Sequence, residues 1–297
     1  MNRMKIKSYG KVNLSLDVTG KREDGYHDIE TVMQQISLFD DVTVTWTSRQ
    51  GDEIEICLTC DKPYLPTDRR NLAYAAAELM AGRFGKAAGG GLIEINIEKH
   101  IPVAAGLAGG SGNGAAVMTA LKKLWNIRIS TKELCDLGAE LGADVPFCLL
   151  TQNTGYGCAL CTGTGADLKP LRSRVKRGIL LVKPYFGVST KEVYQNIDRC
   201  KIKERPDTDA LVRAIKNNSH KQLYSNMINV LEEYTLANYP EVEKIKEMIG
   251  EETSAEKVLM TGSGPTVFAV FSHVRSAQEA CVHMRKRGYS AYWATTL

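Results

Sequence analysis

The chain has 297 residues, 43% of them apolar and 24% charged, with 26 glycines, nine prolines and a formal net charge of +4. That length exceeds the ~100–200 residues of an ordinary domain, and that balance excludes wholesale disorder, collagen-like repeats and low-complexity architecture. A pI near 8.5 suits an anionic small molecule better than nucleic acid, for which a domain pI above ~9 with clustered Lys and Arg is expected.

The opening stretch MNRMKIKSYGKVNLSL has no apolar run followed by a small-residue cleavage site, and no segment approaches the ~20 apolar residues that cross a bilayer. A cytoplasmic protein with no membrane partner is the expectation. Val12, Leu14, Leu16 and Val18 alternate with Lys11, Asn13, Ser15, Asp17 and Thr19, which predicts a half-buried strand with a functional polar face. KREDGYHD follows as a turn hinged at Gly25. QQISLF, DVTVTW and DEIEICL predict three strands, residues 71–84 a helix, and GLIEINIEKHI a further strand. The Gly-rich AGLAGGSGNGAA then runs into a helix over AVMTALKKLW, and Ser130 with Glu133 predicts a capping box for TKELCDLGAEL. YGCALCTG reads as a strand, and the basic run from Lys169 to Arg177 as a solvated loop and strand edge. Strand GILLVKP, a second capping box at Ser189 and Glu192, and amphipathic helices to about residue 250 come next. KVLM, the loop TGSGPT, VFAVF, a helix over 276–287 and SAYWAT complete an α+β order with two lobes and a boundary near 160–170.

Eight cysteines without a secretory leader predict reduced thiols. The pairs Cys57/Cys60 and Cys158/Cys161 have CxxC spacing, but they lie far apart in sequence, unlike the ~15–20 residues between the pairs of a zinc ribbon. Each also falls in a strand pattern, where i and i+3 face opposite sides. No metal site is expected.

The segment from Pro102 to Gly114 joins a strand to a helix. Its glycines admit left-handed backbone and close approach of an anion, and the helix start adds unpaired N–H groups. That combination predicts a polyphosphate cradle. It is neither a Walker A loop, which needs GK[ST], nor a dinucleotide fingerprint. The loop Thr261 to Thr266 reads as a tight turn able to close over a ligand. Asp144, in LGADVPFCLL, fits either a helix N-cap or a general base, and Lys11 either a surface lysine or a site cation.

Three segments, KVNLSLDV (11–18), IPVAAGLAGGSGNGAA (101–116) and TGSGPTVFAVF (261–271), resemble the GHMP kinase superfamily. The stretch GKREDGYHDIETVMQQISLFDDV resembles the branch of it that acts on a cytidine diphosphate-linked polyol. The resemblance spans nearly the whole chain in the same order. It implies an N-terminal lobe over 1–165, like the second domain of ribosomal protein S5, and a C-terminal α+β lobe over 166–297. It implies ATP with Mg²⁺, and transfer of the γ-phosphoryl to a hydroxyl of the small-molecule substrate by a monomer or homodimer.

Residue by residue, Lys11 and Asp144 match the family's catalytic pair, the aspartate as base and the lysine as its companion. Pro102, Val103, Ala104, Ala105, Gly106, Leu107, Ala108, Gly109, Gly110, Ser111 and Gly112 match the ATP phosphate loop. Tyr26 and His27 match residues that hold the cytosine, Asn13 a polar substrate contact, and Thr190 and Tyr194 a substrate contact and a second stacking aromatic. Tyr185 and Phe186 are alternatives for that stacking. The family reads GGGSSNAA or GGGSSDAA where this chain has AGGSGNGAA. Gly112 thus replaces a serine and Gly114 an alanine, which keeps the amides, removes one hydroxyl and loosens a helix start by ~0.5–1 kcal/mol per glycine. The competing readings are another GHMP-type kinase or decarboxylase, which would lack the DGYH segment, and an RNA-binding module, which needs a basic, aromatic-interleaved face.

Overall fold

A computed structural model describes residues 1–173 and 176–297. Two positions of the basic run, 174 and 175, lie outside the described residues. The strands are β1 (Asn2–Lys21), β2 (His27–Ser48), β3 (Ile54–Cys60), β4 (Gly91–Glu98), β5 (Cys158–Thr162), β6 (Asp167–Leu171), β7 (Gly178–Lys183), β8 (Lys257–Met260), β9 (Val267–Phe271) and β10 (Ser290–Thr295). The helices are α1 (Leu72–Ala88), α2 (Gly109–Leu124), α3 (Thr131–Gly138), α4 (Val145–Thr154), α5 (Thr190–Ile197), α6 (Thr208–Asn217), α7 (His220–Ser225), α8 (Glu232–Asn238), α9 (Pro240–Glu252) and α10 (Val274–Lys286). None is long and apolar enough to cross a membrane.

The chain forms two compact units. The first holds residues 1–10, 39–103 and 108–155, the second 11–38, 104–107 and 156–297. Strands β1 and β2 therefore each contribute residues to both.

In the first unit β3 runs parallel to β4, and β4 pairs antiparallel with the second half of β2, from Asp41↔Glu98 to Ser48↔Gly91. Alternation in GLIEINIE turns Ile93, Ile95 and Ile97 inward, each fully buried and worth about 1.5–3 kcal/mol. Helix α1 packs on α2, and both α2 and α3 pack on α4. Asn71 caps α1 by accepting from the Ala73 N–H at 3.0 Å, and Gly89 at φ 77° ends it. Gly114 lets α2 approach α1 closely: a Cβ there would lie 3.1 Å from the Leu72 carbonyl oxygen. The capping box at Ser130 and Glu133 is present in both directions.

In the second unit β10, β7, β9 and β8 form an antiparallel sheet in that order. The runs GILLV and VFAVF are apolar at every position because helices and β1 cover both faces. Leu180, Val182, Val267, Ala269 and Phe271 face the cluster that holds Ile245, Ile249 and Met284. The first half of β2 pairs with β5, and β5 with β6.

Two expectations need correction. QQISLF and DVTVTW are one strand, because Asp40 is not a turn residue: it is fully buried and its carboxylate is bonded on both oxygens. At Ser189 the side chain accepts from the Glu192 N–H, but the Glu192 carboxylate accepts instead from the Tyr234 and Tyr239 hydroxyls at 2.9 and 2.8 Å.

All eight cysteines are free thiols. Cys57 is exposed, whereas burial pushes Cys135 up to about 11 and Cys158 up to about 12. A soluble thiol reagent at neutral pH is expected to modify Cys57 first, and Cys135 and Cys158 only after denaturant is added. Mass mapping of the labelled peptides checks the order.

Candidate functional site

Residues 11, 13 and 15 share one face of β1 by strand periodicity. That face is buried, not half-exposed as the alternation suggests, because Thr31 and the loop 261–266 cover it. Lys11 is 4% exposed, and its ammonium donates to Asn13 Oδ1 at 2.9 Å. Asn13 Oδ1 also accepts from the Thr261 hydroxyl at 3.2 Å, Asn13 Nδ2 donates to Thr31 Oγ1 at 2.9 Å, and the Asn13 N–H donates to Thr261 Oγ1 at 3.1 Å. A buried amide bonded this fully has one orientation, so it fixes the lysine head. Gly262, at φ 59°, passes close by: a Cβ there would lie 3.7 Å from Asn13 Oδ1 and 3.8 Å from Lys11 Nζ.

The loop TGSGPT is therefore more than a turn. Asn229 Nδ2 donates to the Met260 carbonyl just before it and to the Gly262 carbonyl within it, at 2.9 and 2.8 Å, and the Ser263 hydroxyl lies 2.9 Å from that of Thr190. Asn229 was not marked by the sequence, and Ser263 only as part of the loop. Residues 104–107 sit on the same loop. A Cβ at Gly106 would lie 2.8 Å from the Thr261 carbonyl oxygen, and the Leu107 carbonyl accepts from the Lys11 N–H at 3.1 Å.

Ala104, Gly106 and Ala108 have φ of 51°, 70° and 56°. Left-handed alanines cost about 1–2 kcal/mol each, and alternation of this kind turns successive N–H groups toward one side. Helix α2 begins at Gly109 with no side-chain cap, so its first amides stay available to an anion. Strained alanines beside uncapped amides fit a phosphate cradle.

Asp144 stands at the N-cap of α4 but has helical φ and ψ, and its side chain makes no capping bond. Among the described residues no group of three or more His, Cys, Asp or Glu side chains gathers as a metal cage. Mg²⁺ held mainly by phosphate oxygens and water is compatible with that.

The DGYH turn is built locally. Asp24 Oδ1 accepts from the Tyr26 N–H at 3.0 Å, the Arg22 N–H donates to the Tyr26 carbonyl at 2.8 Å, and Gly25 takes φ 85°. That leaves Tyr26 70% exposed and His27 buried. His27 Nε2 lies 2.9 Å from Asp198 Oδ1, and Asp198 Oδ2 accepts from Lys21 Nζ at 2.8 Å. A carboxylate only accepts, so Nε2 carries a proton and the ring is held in one orientation. Asp198 was also missed by the sequence.

The Tyr194 ring centroid is 5.6 Å from that of His27. Phe186 instead stacks on Tyr239, and the exposed Tyr185 donates its hydroxyl to the Gly288 carbonyl. Tyr194 is thus in ring contact with His27.

The Lys21 ammonium, chiefly, holds the Asp198 carboxyl below the usual aspartate value of 3.8. A lowered folded value means that the tether is fully present above the unfolded value and is lost only as pH falls through the lower one. Asp198→Asn is expected to weaken a ligand held by His27 about fivefold, the worth of one such hydrogen bond, with an anion at residues 102–112 bound as before. Calorimetric titration of each ligand in turn checks it.

Two family patterns match: GHMP kinases N terminal domain over residues 71–152, and GHMP kinases C terminal over 205–290. The chain is 44% identical over 294 residues to a 4-diphosphocytidyl-2-C-methyl-D-erythritol kinase of Clostridium botulinum, covering 99% of this chain and 100% of that one. It is 42% identical over 282 residues to the enzyme of that name in Caldicellulosiruptor saccharolyticus, covering 95% and 93%. A crystal structure of a 4-(cytidine 5'-diphospho)-2C-methyl-D-erythritol kinase superposes with a TM-score of 0.78 at 30% identity, covering 99% of each chain. A homoserine kinase structure from Cytophaga hutchinsonii, 17% identical with a TM-score of 0.73, shares the fold and covers 100% of this chain and 95% of its own.

Proposed function

The chain belongs to the 4-diphosphocytidyl-2-C-methyl-D-erythritol kinase family of the GHMP kinases, and from that premise we propose that it transfers the γ-phosphoryl of ATP to the 2-hydroxyl of 4-diphosphocytidyl-2-C-methyl-D-erythritol, as a cytoplasmic enzyme of non-mevalonate isoprenoid synthesis. The observation that carries this reading is identity of 41–44% over nearly the full chain to relatives of that one name.

Phosphoryl transfer asks a protein mostly for positioning and charge neutralisation. ATP with Mg²⁺ supplies the transferred group. Residues 102–112 bind its phosphates through backbone amides. Asp144 accepts or orients the proton of the acceptor hydroxyl, an effect typically of order 10²–10⁴ in rate. Lys11, fixed by Asn13, offsets the negative charge that develops. Tyr26 and Tyr194 offer faces to the cytosine and His27 an edge; Thr190 and Asn13 are polar contacts for the rest of the substrate. We place the division of labour at 1–165 and 166–297; the N-terminal and C-terminal family patterns fall on either side of that boundary.

ADP release by the purified protein, with Mg²⁺ and either the cytidylyl polyol or mevalonate, tests the reading. ADP with the first alone is expected. ADP with mevalonate and none with the first overturns it.

A further inference from the structure

Beneath the start of α2 lies a buried polar cluster. Asp40 Oδ1 accepts from the His100 and Ile101 N–H groups at 2.8 Å each, and its Oδ2 accepts from Lys99 Nζ and, at 2.9 Å, from Asn113 Nδ2. Lys99 Nζ also donates to Asn113 Oδ1 at 3.1 Å. The cluster thus ties the chain just before the loop 102–112 to the first residue after it. Asn113 Nδ2 has one more acceptor, Ser8 Oγ on β1, at 3.2 Å, and Ser8 is fully buried.

Gly112 faces that hydroxyl. A Cβ at 112 would stand 2.6 Å from Ser8 Oγ; the next atoms, the Tyr9 carbonyl oxygen and Cys148 Sγ, are at 3.4 and 3.9 Å. Ser8 Oγ is thus the one atom of the three that a side chain at 112 would displace.

We propose that Ser8 is a positioning residue for the nucleotide loop, and that Ser8 and Gly112 are coupled, the Ser8 hydroxyl occupying the space that a side chain at 112 would need. The hydroxyl holds the Asn113 amide, and through it the Asp40 and Lys99 clamp, so the first turn of α2 keeps its amides in register. This rests on reading residues 102–112 as the ATP loop.

A double-substitution cycle tests it, read by calorimetric ADP binding and by the KM for each substrate. Gly112→Ser alone overpacks the site, so ADP affinity is expected to fall, and the KM for ATP to rise, about tenfold, with the KM of the alcohol substrate changed less than about twofold. Ser8→Ala alone should weaken ADP about fivefold. Ser8→Ala with Gly112→Ser restores a hydroxyl in the vacated space and should return ADP affinity to within about threefold of wild type. Single effects that multiply in the double variant overturn the proposal, as does Ser8→Ala with wild-type ADP affinity, or equal changes in both KM values. If Gly112→Ser does not fold, the comparison of Ser8→Ala with the double variant decides: no recovery overturns the proposal. Wild-type protein that binds no ADP overturns the nucleotide reading itself; wild-type binding with a failed cycle overturns the coupling alone.

Discussion

Replacing Asp144 by Asn is expected to lower turnover several hundredfold or more while ADP still binds. The substitution is isosteric, and it removes the group able to take a proton. Asn is as good an N-cap as Asp, and Asp144 makes no capping bond here, so α4 has no reason to unravel. Loss of a positioned base typically costs 10²–10⁴ in rate. The loop 102–112, proposed to bind the phosphates, is a separate segment with its own supports, so nucleotide affinity should stay within about threefold of wild type, as for independent sites. Turnover under saturating substrates, paired with calorimetric ADP binding and a thermal melt, checks all three. Near-normal turnover removes Asp144 from the base role.

Features set by neighbours in sequence were legible. The face shared by Lys11 and Asn13 follows from strand periodicity. The DGYH turn follows from Asp24 and Gly25, and the α3 start from Ser130 and Glu133, because each bond spans two or three residues. What failed were roles assigned by distant partners. Asp40 lies where QQISLF and DVTVTW read as two strands, and only Lys99, 59 residues on, accounts for its charge inside one. Asp198 carries no local signal, and only folding brings it to His27, 171 residues earlier. Glu192 has the capping-box spacing, yet two tyrosine hydroxyls more than 40 residues away take its carboxylate. Gly112 and Gly114 look like loosened helix; packing adds a different cause, since a Cβ would meet Ser8 Oγ at 2.6 Å in the one case and the Leu72 carbonyl oxygen at 3.1 Å in the other.

Tyr26→Ala should raise the KM for the cytidylyl substrate about 10- to 100-fold, since one base–aromatic stack is worth roughly 1–3 kcal/mol and tenfold corresponds to about 1.4. The KM for ATP should change by less than about twofold, because Tyr26 belongs to the turn and not to the phosphate loop. Stability should also hold. The side chain is 70% exposed and buries little, and the turn is fixed by Asp24, Arg22 and Gly25 through backbone bonds that survive truncation. Tyr26→Phe separates the ring from its hydroxyl: if stacking carries the effect, its KM stays within about threefold of wild type, the worth of one exposed hydrogen bond. An unmoved substrate KM in Tyr26→Ala, or equal rises in both KM values, would place the cytosine elsewhere and leave the exposed ring without a role.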